Sequence, residues 1–224
     1  MFLDSTIVLL IPVVIFALYA QNKVTSTYRK YVRVRSQRGM TGAQAARQLL
    51  DYAGLQSVDI EPTEGTLSDH YDPRKRVLRL SRDNYSGDSV AALGVACHEA
   101  GHAIQHAKNY GPLAIRQAIW PVASIGTWAA WPLFFIGFLF QTPMMMDIGI
   151  LVYLVAAFFT VITLPVEFDA SNRAIKLLTQ HGIVTQQEQG QAKAVLNAAA
   201  LTYVAAALMA VVQLLRMIVL RGRD

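Results

Sequence analysis

Charge is scarce in this sequence. Only 16% of its 224 residues are Asp, Glu, Lys or Arg, while 54% are hydrophobic. A soluble globule carries nearer a quarter charged residues, so a purely soluble domain does not fit, and neither does a disordered chain. Cysteine is almost missing: Cys97 is the single one, which excludes an intramolecular disulfide framework and a cysteine-based zinc finger. The 14 Gly and 8 Pro form no repeat, excluding collagenous and low-complexity architectures. A basic face interleaved with aromatics, as nucleic-acid binding requires, is lacking too. The net charge of +5 gathers instead in one short stretch, and no nucleic acid is expected as a partner.

What the chain has is long apolar runs, reflected in a mean hydropathy of +0.33. Thr6 to Ala20 is uncharged, and with Phe2 and Leu3 it reaches the length of a short span. Asp4 precedes it and no A-x-A cleavage site follows, so a retained anchor over 1–22 is expected rather than a signal peptide. Ala118–Phe140 and Ile148–Val166 are uncharged over 23 and 19 residues, each close to the roughly 20 needed to cross the hydrocarbon core. The short loop between them makes 117–166 an antiparallel hairpin. Ala198–Leu215, uncharged over 18 residues, either crosses as a fourth span or packs as a buried helix, within a last segment 194–224. Lys23, Arg29, Lys30, Arg33, Arg35 and Arg38 follow the first run, whereas the 141–147 loop has no Lys or Arg. By the positive-inside rule, 23–116 and 167–193 lie in the cytoplasm and the 141–147 loop outside. A spanning fourth helix would then carry Arg221 and Arg223 outward, against the rule.

Between 39 and 116 the composition turns soluble. Thr41-Gly42-Ala43-Gln44 fits a capping box, opening a helix that Gly54 stops. Val58 and Ile60 alternate with polar neighbours as a short strand. The segment 66–75 reads as a polar turn around Pro73, followed by a strand near Val77–Leu80. Asp88 or Ser89 caps a helix from Val90 to about Lys108. That helix contains His98-Glu99-Ala100-Gly101-His102, an H-E-x-x-H pattern. Residues four apart share a helix face, so both imidazoles reach one metal ion and Glu99 stands beside it. Zinc suits neutral imidazole, and two His plus a carboxylate leave a position open for water, whose proton Glu99 takes as general base.

A third ligand must come from elsewhere. In the extended pattern H-E-x-x-H-x-x-G-x-x-H the glycine and third histidine would fall on Gln105 and Lys108, so that pattern is absent. His106 lies near the metal face at the wrong offset, and reads as an ordinary helix histidine. Glu167, in LPVEFDASNRA at the end of the third apolar run, stands out as a carboxylate ligand; the alternative is an interfacial glutamate that snorkels. Pro165 is expected to break the membrane helix there, with a fresh helix following.

The motifs LSDHYDP, HEAGHAIQH and LPVEFDASNRA, in that order, resemble the neutral zinc metallopeptidases of the YugP type, bacterial integral-membrane peptidases similar in plan to HtpX-like enzymes. The resemblance covers about 23–215. It implies a mainly α fold with a small α+β part: multi-span transmembrane helices plus a zincin-like cytoplasmic catalytic domain of the glutamate-ligand class. It implies one catalytic Zn2+ on His98, His102 and Glu167, Glu99 as base, and cleavage of membrane or membrane-proximal polypeptides at the cytoplasmic face of the bacterial inner membrane. The bilayer and a polypeptide substrate are thus the expected partners; the assembly state is left open. One departure stands out. The class places an Asp four residues after the Glu ligand, where this chain has Ser171, and the nearest Asp is Asp169, a candidate second layer to a zinc-bound histidine. His70 or Tyr71 is a candidate oxyanion donor, against a purely structural turn at Asp72-Pro73. Arg173 is a weaker candidate for such a role than for a surface cation. The strand at 77–80 is a candidate for edge pairing with extended substrate. Cys97 points away from the metal face and reads as a buried thiol, and His181 as a helix cap. A catalytically silent, zinc-stabilised scaffold is the alternative function, which the intact Glu99 argues against.

Overall fold

The structure, a computed structural model, describes residues 5–65 and 68–222. Phe2, Leu3 and Asp4 at the head of the first apolar run, Leu67 of the LSDHYDP motif and Arg223 lie outside them. After a 3-10 turn at Ser5–Leu9 come α1 (Leu10–Tyr31), α2 (Gly42–Tyr52), β1 (Asp59–Thr63), β2 (His70–Asp72), β3 (Val77–Ser81), α3 (Arg82–Ser86), α4 (Val90–Ala107), α5 (Gly111–Leu139), α6 (Pro143–Gln180) and α7 (Gln186–Arg221). The described chain is thus mainly helical with one three-stranded sheet. It divides into two compact units, one of 1–21, 111–165 and 202–224, the other of 22–110 and 166–201.

The first unit is apolar. The four helical stretches Thr6–Tyr31, Gly111–Leu139, Pro143–Gln180 and Gln186–Arg221 are long and apolar enough to cross a membrane. Phe134, Met146, Tyr153 and Met217 form its core. Gly137 and Gly149 let α5 and α6 approach closely: a Cβ at Gly149 would lie 2.9 Å from the Phe134 nitrogen, and one at Gly137 2.7 Å from that of Met146. Small residues at such crossings are how helices associate where water supplies no driving force. Trp128, Leu139, Phe140 and Leu151 are left largely exposed, an outward apolar surface of the kind a bilayer covers. Arg221, at the end of α7, pairs with Asp147 near the start of α6 at 2.9 Å. The C-terminal end of α7 therefore lies beside the α5–α6 turn, and its cation is neutralised there.

The second unit carries the capped helices. Thr41 and Gln44 form the expected reciprocal box, and Gly54 takes φ +76° just past the end of α2, a conformation glycine adopts without a Cβ clash. Ser89, not Asp88, caps α4 by accepting from Ala92 N; Asp88 instead pairs with Arg35. A second box, Thr185 with Glu188, opens α7. Leu49, Leu50, Leu78, Leu80, Leu93 and Leu178 are wholly buried in one core.

Three expectations fail. His70–Asp72 is a strand rather than part of a turn, because it pairs antiparallel with β3 over His70–Arg79 to Asp72–Val77. β3 also pairs with β1, in parallel, so the order is β1-β3-β2. With ladder partners on both sides, Val77–Leu80 has no free edge for a substrate strand; only β1 and β2 have one. Lastly, Pro165 does not end the membrane helix. α6 runs unbroken for 38 residues, since a proline removes a single ladder bond, and the turn that follows it is held against α4. Similarly, α7 is continuous well beyond 198–215.

That α4–α6 contact depends on Gly101. A Cβ there would lie 2.6 Å from the Ala170 carbonyl oxygen, whereas one at Gly94 would meet nothing nearer than 3.7 Å, at Ala192. Gly101→Val is expected to destabilise the detergent-solubilised protein by about 1–3 kcal/mol through overpacking. Gly94→Ala is expected to be neutral, or stabilising by up to about 1 kcal/mol from helix propensity. Thermal unfolding of the two variants beside the parent checks the contrast.

Candidate metal centre

α4 presents His98 and His102 one turn apart, and α6 presents Glu167 opposite them. One ligand atom from each lies within 4.8 Å of the others. The His98 Nε2 is 3.2 Å from Glu167 Oε2, and the His102 Nε2 is 3.6 Å from it. Both spacings are near the roughly 3.3 Å edge of a tetrahedron with bonds of about 2.0–2.1 Å. Glu167 is 3% exposed, so its carboxylate has little water to lean on.

The hydrogen bonds behind the rings decide which nitrogens face inward. His98 Nδ1 lies 3.0 Å from Ser171 Oγ, and His102 Nδ1 lies 3.0 Å from Gln105 Oε1. The Gln105 amide is fully committed: its Nε2 donates to the Val166 carbonyl at 2.8 Å and to Asp169 Oδ2 at 2.8 Å. Gln105 therefore turns its oxygen to His102, which must donate from Nδ1. In the neutral ring, Nε2 then carries a lone pair, and that lone pair points at a carboxylate. Two acceptors this close repel unless a cation stands between them. A proton can serve: burial works against a charge on His102, but its hydrogen bond to Glu167, and the nearby charges of Glu99 and Glu167, outweigh this and raise its pKa. A divalent metal ion satisfies all three groups at once. The donor set, two imidazoles and one carboxylate with their outer nitrogens held, fits zinc and leaves a coordination position open.

The structure thus brings together His98, His102 and Glu167, and it places Glu99 on the same helix, partly exposed. Asp169 reaches the cluster through Gln105, and is itself gripped by Arg173, whose guanidinium lies 5.7 Å over the Tyr110 ring. Arg173 is accordingly an anchor for Asp169. The other two candidates are engaged elsewhere. Tyr71 hydroxyl lies 3.0 Å from His106 Nδ1, and exposed His70 sets Nδ1 2.8 Å from the Ser68 carbonyl. Their aspartate neighbours build the loop: Asp69 accepts from Ser81 N, Ser81 Oγ and Asn84, and Asp72 from the N–H groups of Arg74 and Lys75. Cys97 is fully buried and its thiol pKa is pushed far up by desolvation, so it is inert. The His181 ring stacks on Tyr52 at 3.6 Å.

Two residues escaped the sequence reading. Gln105 entered it only as the place where a glycine was absent, although three residues after His102 it shares that face of α4. Ser171 entered as a departure, yet its hydroxyl lies 3.0 Å from His98 Nδ1. Ser171→Ala and Gln105→Ala are each expected to weaken zinc binding about 10–100-fold, measured by chelator competition. Ser171→Asp should retain affinity, as it restores an acceptor at the same place.

The comparisons agree with this geometry. Against curated proteins the chain is 48% identical over 208 residues, 92% of each chain, to “Putative membrane protease YugP” of Bacillus subtilis (strain 168). No solved structure matches it. A family model described as “Putative neutral zinc metallopeptidase” matches residues 6–222. The chain belongs to that zinc metallopeptidase family.

Proposed function

We propose that this protein is a zinc-dependent membrane endopeptidase that cleaves membrane or membrane-proximal polypeptides at the cytoplasmic face of the cell membrane. The observation that carries the reading is the inward convergence of His98 Nε2, His102 Nε2 and the Glu167 carboxylate, with Glu99 on the same helix. Zinc held by these three supplies a Lewis acid that polarises a peptide carbonyl and lowers the pKa of water toward about 7. Glu99 is the general base: its carboxylate takes the proton from the attacking water and passes it to the departing amine. Ser171 and Gln105, the latter braced by Asp169, occupy both ring Nδ1 atoms, so each Nε2 is the atom left to serve as a ligand. His70, exposed with Nδ1 turned to the Ser68 carbonyl, and Tyr71, bonded to His106, remain the candidate oxyanion donors of this reading, outside the three-ligand cluster.

The orientation rests on the basic collar from Lys23 to Arg38, which the positive-inside rule places in the cytoplasm. Of the two cations that oppose it, Arg221 is paired with Asp147. The domain reading keeps 23–116 and 167–193 as the catalytic part, carried by the 1–22 anchor, the 117–166 hairpin and the 194–224 helix.

The test is cleavage of an unfolded protein by the detergent-purified chain, with bound zinc quantified. Glu99→Gln should keep zinc and lose about 10²–10⁴-fold in rate, whereas His98→Ala, His102→Ala and Glu167→Ala should lose the metal. A zinc-loaded parent that cleaves no faster than Glu99→Gln would sink the enzymatic reading and leave a zinc-stabilised scaffold.

A further inference from the structure

Beyond His102, α4, the edge strand β2 and the loop after α2 flank an open hollow of about 240 Å³. It is too small for a drug-sized ligand, whose pockets begin near roughly 300 Å³, and is scaled to a single side chain. Leu55 and Ala103 give it apolar wall, while Tyr71, Arg76, His106 and Asn109 give it polar groups; no acidic residue lines it.

Several of its polar groups can donate. Arg76 sits in the β2–β3 turn at φ +54°. Among the described residues no carboxylate pairs with it, because Asp72 is taken by Arg79 and by the turn. Tyr71 and a neutral His106 together carry one O–H and one ring N–H. The bond between them consumes one of these hydrogens, whichever tautomer holds, so the pair always keeps one to give. A guanidinium, a spare donor and the Asn109 amide around a hollow without acids are complementary to a carboxylate.

The position of the cavity ties it to the site. His106 follows Glu99 by seven residues, which on a helix places it on nearly the same face, about 10 Å further along the axis. An extended peptide covers that distance in roughly three residues.

We infer that this cavity is a carboxylate subsite, taking an acidic side chain or the C-terminal carboxylate of a polypeptide about three residues from the bond cleaved, with Arg76 as its specificity determinant. The inference rests on the peptidase reading for its meaning, and its test is made on binding.

The probes are fluorescein-labelled Ala/Ser/Leu decapeptides with amidated C-termini, carrying a single Glu or Gln walked through each position, plus a neutral decapeptide with a free C-terminus. Anisotropy reads their affinity for the full-length, zinc-loaded Glu99→Gln protein in detergent. At one position, Glu should bind about tenfold more tightly than Gln; an advantage confined to the free C-terminus would instead identify the terminal carboxylate as the ligand. Adding Arg76→Gly, which suits the positive φ, should abolish the difference while zinc content and neutral-peptide affinity persist. Arg76→Lys should restore part of it. A wild-type Arg76 background that binds acidic and neutral peptides equally, or not at all, overturns the subsite, as does a preference that survives Arg76→Gly. If binding discriminates but the Glu99-intact protein cuts none of these peptides, the subsite stands and the peptidase reading falls.

Discussion

Two imidazole nitrogens and a carboxylate oxygen face one another at the centre of the second unit, and the surrounding arrangement depends on what is placed between them. His102 donates from Nδ1 to Gln105 and His98 Nδ1 is paired with Ser171, so the inner nitrogen of each ring is the one turned to Glu167. Such a cluster is stable only around a cation. Its members come from two helices distant in sequence, so whatever binds there also ties α4 to α6. A metal that binds the folded arrangement and not the unfolded chain contributes its binding free energy to folding. The glycine at 101 belongs to the same constraint: it lets the two backbones come close enough for a carboxylate to reach both rings.

Continuity of α6 gives this a further consequence. Glu167 stands two residues past Pro165 on a helix whose preceding turns are apolar and span-length. A rigid helix fixes the ligand with less slack than a loop entry would, and the Gln105 bonds to Val166 and Asp169 hold that turn from the other side. Arg173 completes the chain by gripping Asp169. A charged residue thus influences the site through a carboxylate, an amide and an imidazole in series. The same amide bonds that position His102 also satisfy a backbone carbonyl beside a proline.

The LSDHYDP stretch shows how a motif can carry several jobs. Asp69 fastens the loop to the end of β3, and Asp72 shapes the turn that leads into it. Tyr71 turns toward α4, where it meets His106 rather than the three ligands. The two aspartates are therefore building material, while the tyrosine opens onto a separate cavity.

Much was readable from local pattern, because its physical cause is local. The i, i+4 spacing places His98 and His102 on one face whatever the rest of the chain does. Capping boxes act within four residues, and uncharged runs of span length need no partner to be recognised. Glu167 was legible as a buried-looking carboxylate beside a proline in an apolar context. What sequence could not supply were relations across long separations. That β3 lies between β1 and β2 depends on a parallel pairing with residues 18 positions earlier, and periodicity cannot tell a central strand from an edge. Helix or break at Pro165 depended on tertiary packing, that of α4 against the following turn among it. Gln105 and Ser171 look like ordinary polar helix residues until the fold sets one beside His102 and Asp169 and the other 73 residues away from its partner, His98. The metal-binding face was written in spacing; the orientation of its nitrogens was decided by tertiary hydrogen bonds.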